Sequence, residues 1–101
     1  MSHSNLVNKF MNTDNIDYSK DWNNLMLVVD HIEGLGKRPY LDDRILYDGM
    51  YKGFWYAGFK QHFPDGDDTY YGVESEQNSS KFEAVYNACI NFITWHNEVT
   101  N

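Results

Sequence analysis

Apolar residues recur at three- and four-residue steps in three stretches of this chain, and at every second residue in its middle. In "DWNNLMLVVDHIEGLG", residues 21–36, Trp22, Leu25, Met26, Val29 and Ile32 share one side with Val28 beside them; Asn23, Leu27, Asp30 and His31 fall on the other. The spacing predicts an amphipathic helix over 22–34, capped by Asp21 and ended by Gly34 and Gly36. Residues 4–12, "SNLVNKFMN", put Leu6, Val7, Phe10 and Met11 on one side and predict a short helix that Ser4 could cap. The third helical stretch is "KFEAVYNACINFITWHNEV", residues 81–99, and the predicted helix runs over 80–98. Ser80 and Glu83 form a capping box at its start, with Ser79 or Asn78 as alternative caps.

Between the second and third helices the texture is that of strands. "KRPYLDD" is a polar bend, after which Ile45, Leu46 and Tyr47 run into Asp48-Gly49 and then Met50 and Tyr51. Asp-Gly between apolar runs predicts a tight hairpin turn there, because both turn positions need positive φ. A second strand is predicted over 50–60, broken by "FPDGDD", and a third over 69–75. Strands grouped between helices predict a single α+β domain over 1–101. Its order is short N-terminal helix, long helix, three-stranded antiparallel sheet and long C-terminal helix, in a sandwich-like arrangement. The order leaves open whether the helices cover one face of the sheet or both.

On the second strand, Tyr51, Gly53, Trp55, Ala57 and Phe59 alternate with Lys52, Phe54, Tyr56, Gly58 and Lys60. Both faces therefore carry large aromatics. Either helices cover both, or one face shows water an aromatic patch flanked by lysines, which would be an interaction surface.

Charge narrows the partners. The 101 residues carry 15 acids against eight lysines and arginines, a net charge of −7. Excess negative charge repels phosphate, so direct DNA binding is not expected, whereas encounter with a basic protein surface is favoured. The acids in the loops, Asp42, Asp43, Asp65, Asp67 and Asp68, are the candidate groups for such an encounter, and Phe54, Trp55 and Tyr56 the candidate anchors. A lone cysteine allows no internal disulfide, and no apolar run reaches the roughly 18 residues of a membrane span. The expectation is a cytoplasmic protein without a membrane segment.

Candidate chemistry is sparse. Cys89 and His96 project onto the middle of the apolar stripe of the last helix, about two turns or 10 Å apart, too far for a thiol–imidazole pair. "DGDDTYYGVESE", 65–76, places acids at calcium-loop positions one, three and twelve but has Tyr70 where the motif needs glycine. Gly34 and Gly36 lie at a helix end, where backbone N–H groups do not face an anion. No catalytic residue, metal site or cofactor is predicted.

The segments "NLVNKFM", "DWNNLMLVVDHIEGLG" and "SSKFEAVYNACINFITWHNE" resemble a family of small bacteriophage and prophage proteins of unknown function. The most specific part is the E-A-V-Y-N-A signature, here Glu83–Ala88; Leu27 and His96 depart from the family's residues at their positions. The resemblance implies a small layered α/β domain without assigned catalysis. It implies an anti-CRISPR-type role, in which a small acidic phage protein inhibits a host defence nuclease, a CRISPR effector or its guide-RNA complex, by protein–protein contact. The alternative is a phage structural or scaffolding module that binds a phage partner or itself.

Overall fold

The computed structural model describes residues 3–35, 44–62, 66 and 68–100. Three helices and one sheet follow in the order α1 (His3–Met11), α2 (Trp22–Leu35), β1 (Arg44–Tyr51), β2 (Phe54–His62), β3 (Asp68–Asn78) and α3 (Lys81–Thr100). The fold is α+β, with an antiparallel meander in the order β1-β2-β3.

Helix ends follow local chemistry. α1 stops at Asn12, whose φ of 58° is the left-handed cap conformation; the Asn12 and Thr13 N–H groups donate back to the Lys9 and Asn8 carbonyls. α2 starts at Asp21, whose carboxylate accepts from the Asn24 N–H at 2.8 Å. α3 starts at Ser80, whose hydroxyl accepts from the Glu83 N–H at 3.1 Å, while the Glu83 carboxylate accepts from the Ser79 hydroxyl.

All three helices feed one core on a single face of the sheet. Val7 of α1, Leu25, Val28, Val29 and Ile32 of α2, and Val85, Cys89, Phe92 and Ile93 of α3 are buried with Ala57 and Phe59 of β2. Leu46, Trp55 and Tyr71 pack against this cluster from the same sheet face. The buried arc of α3 extends to Ala84, Ala88 and Phe92, beyond the stripe centred on Cys89. His96 is only half-buried, its ring stacked on Phe92 and capped by Phe10.

Buried polar groups are woven into this core. Asn8 donates to the Ser4 and Ile16 carbonyls, each at 2.8 Å, and accepts from the Thr13 hydroxyl and the Ile16 N–H, so one side chain ties α1 to the connection after it. Asn78, at the end of β3, donates to the Trp55 carbonyl at 3.0 Å and accepts from Asn87 of α3 at 3.0 Å. Arg44 lies on the inner face with its guanidinium between the Tyr71 and Phe92 rings, 4.7 and 4.8 Å from their centroids.

The hairpin departs from the sequence expectation. The turn is not at Asp48-Gly49 but at Lys52-Gly53, where φ is 53° and 84°. Tyr51 pairs with Phe54 across it, and Asp48 and Gly49 sit inside β1 opposite Ala57 and Tyr56. β2 accordingly starts at Phe54, not Met50, and β3 is longer than 69–75 at both ends. Gly49 serves the sheet, not the turn: a Cβ there would come within 2.4 Å of the Tyr56 hydroxyl oxygen.

Candidate functional site

Among the described residues, the second face of the sheet carries no share of the core cluster. Alternate residues of β1 (Ile45, Tyr47, Gly49, Tyr51) and β2 (Phe54, Tyr56, Gly58, Lys60) point to it, together with Tyr70 of β3 opposite Lys60. Ile45, Tyr51, Phe54, Tyr56 and Tyr70 are exposed, Tyr51 by 68% and Tyr70 by 55%. Of the two arrangements open from sequence, the described helices take the one that leaves this aromatic face uncovered.

That face is tiled by a simple rule. Tyr47 lies opposite Gly58, and Tyr56 opposite Gly49. Each tyrosine ring leans over its partner glycine: a Cβ on Gly58 would meet the Tyr47 hydroxyl oxygen at 2.8 Å, as one on Gly49 would meet that of Tyr56. Two rings thus occupy the space that two side chains would have filled, and they lie low on the strands. Tyr70 completes the group, edge-on to Tyr47 with ring centroids 5.8 Å apart. Burial within the group pushes the Tyr47 hydroxyl above the ordinary tyrosine range, with the neighbouring Tyr70 and Tyr56 adding in the same direction.

The charges of the face are few. Lys60 stands in it, Lys52 marks the turn with its ammonium 5.3 Å from the Tyr51 ring, and Asp68 opens β3 at the opposite end. The helices and the connection 12–21 carry seven carboxylates against three lysines. Asp48, Glu74 and Glu76 also lie on the strands, so among the described residues the acids are shared between the helix layer and the sheet.

Of the residues predicted for partner binding, Phe54 and Tyr56 are brought together on the open face. Trp55 is not with them: it points to the inner face and packs on the core, as period-two alternation requires. Asp68 is exposed at the start of β3. Asp42, Asp43, Asp65 and Asp67 lie outside the described residues. Tyr47 and Tyr70 were missed from sequence. For Tyr47 the signal was present, since a hairpin centred on Lys52-Gly53 sets it opposite Gly58; Tyr70 lies opposite Lys60 through a β2–β3 pairing that no local signal marks.

The remaining candidates resolve as packing. Cys89 is buried, and burial pushes its thiol up to about 12, so it is protonated at neutral pH and inert as a nucleophile. No cluster of three or more histidine, cysteine or carboxylate side chains that could hold a metal occurs among the described residues. Asp68 onward is strand, which cannot wrap an ion as a calcium loop does. No described helix is long and apolar enough to cross a membrane. No protein-family model matches the chain, and neither a curated protein nor a solved structure is detectably similar to it.

Proposed function

We propose that this chain is a protein-binding module, not an enzyme, and that the open sheet face docks on its target. One observation carries the reading: six large side chains, Ile45, Tyr47, Tyr51, Phe54, Tyr56 and Tyr70, gather on a face that no described helix covers. Tyrosine supplies wide contact area with few rotatable bonds, and its hydroxyl stays usable at a wet rim. Rings already held over Gly49 and Gly58 lose little freedom on binding, which favours affinity.

The target class follows from the phage-protein resemblance and the net charge of −7. It is a host defence nuclease with a basic surface, a CRISPR effector or its guide-RNA complex, inhibited in the host cytoplasm by contact alone. The net negative charge favours encounter with such a surface, and the open face supplies the contact.

A cleavage assay with purified effector ribonucleoprotein tests this reading. Stoichiometric inhibition is expected. It should weaken more than about tenfold in Phe54→Ser and Tyr56→Ser, on the hot-spot behaviour of central aromatic anchors. Absence of inhibition, with co-purification of the chain with virions, would replace the reading by the scaffolding alternative.

A further inference from the structure

We draw no further inference here: the strongest candidate, the aromatic sheet face around Tyr47, Tyr56 and Tyr70 that the described helices leave open, carries nothing beyond the proposed function because nothing in the structure shows what covers it.

Discussion

Gly49 and Tyr56 form the most direct test of how the open face is built. A Cβ added at Gly49 would lie 2.4, 2.7 and 3.0 Å from the hydroxyl oxygen, Cζ and Cε1 of Tyr56. The ring must therefore swing off the strand in Gly49→Ala. Tyr56 keeps 36% of its surface exposed, so the rest is shielded chiefly by neighbours on this face. A tyrosine buries on the order of 200 Å² when fully covered, so losing half of the present shielding exposes roughly 60 Å², or about 1.5 kcal/mol at 25 cal/mol per Å². Replacing a strand glycine by alanine returns about 0.5–1 kcal/mol of backbone entropy. The net expectation is destabilisation by about 0.5–1 kcal/mol. In a Tyr56→Ser background the clash is gone and only the entropy gain remains, so the same Gly49→Ala change should stabilise by about 0.5–1 kcal/mol. Urea unfolding of the four proteins of this double-mutant cycle reads the coupling directly, at about 1.5 kcal/mol. Equal effects of Gly49→Ala in both backgrounds would refute the ring-over-glycine arrangement.

Cys89 sets an alkaline limit. Its thiol is raised from an ordinary value near 9 to about 12, so the native state holds the proton longer. That stability is complete below pH 9 and is lost as pH rises from 9 through 12; at pH 10.5 the loss is about 2 kcal/mol. Tyr47 and Tyr86, both raised by burial, act in the same direction. The comparison of urea midpoints should therefore be with Cys89→Ala, which retains the tyrosines and should lose less stability between pH 8 and 10.5; parallel slopes would count against a buried thiol. Asn78→Ala strips partners from the Trp55 carbonyl and from Asn87, and should cost about 2–4 kcal/mol in thermal or urea unfolding. Asn8→Ala should free α1 from the connection behind it, seen as a rise of tenfold or more in amide exchange over 5–11 while α3 stays protected.

α2 and α3 were legible because each carries its own start signal beside its apolar period, whereas Ser4, expected to cap the first helix, lies inside α1. Asp21 and Ser80 cap as their side chains dictate, and the three- and four-residue steps of α2 bury Leu25, Val29 and Ile32. Helix projection also placed Cys89 correctly, but it set His96 equally deep. Projection has no account of position along the axis, and near the end of α3 the neighbours of His96 are Phe10 and Phe92, which leave it half-covered. The sheet was less legible because strand pairing is not local. Asp48-Gly49 carries the turn preference in isolation, yet Lys52-Gly53 takes the turn, and β2 and β3 then pair through bulges that no local signal marks. The open face depends on that pairing, so Phe54 and Tyr56 were reachable from alternation alone while Tyr47 and Tyr70 were not.

The position of the turn can be decided by the sign of one substitution. Lys52 adopts φ of 53°, a conformation that costs a side-chain-bearing residue about 1 kcal/mol and that asparagine tolerates better than lysine. With Gly53 at 84°, Lys52→Asn would create the Asn-Gly pair that two-residue hairpin turns favour most. Stabilisation by about 0.5–1 kcal/mol is expected in urea unfolding. Were the turn at Asp48-Gly49, residue 52 would lie inside a strand, where asparagine is disfavoured, and the same change would destabilise. The two registers also differ in what they do to the face. A turn at 48–49 would pair Tyr47 with Met50 and take both tyrosine rings off their glycines; Tyr47 and Tyr56 would then stand up from the sheet instead of lying along it. Stabilisation by Lys52→Asn therefore supports the low, aromatic surface on which the target-binding reading depends, and destabilisation removes it.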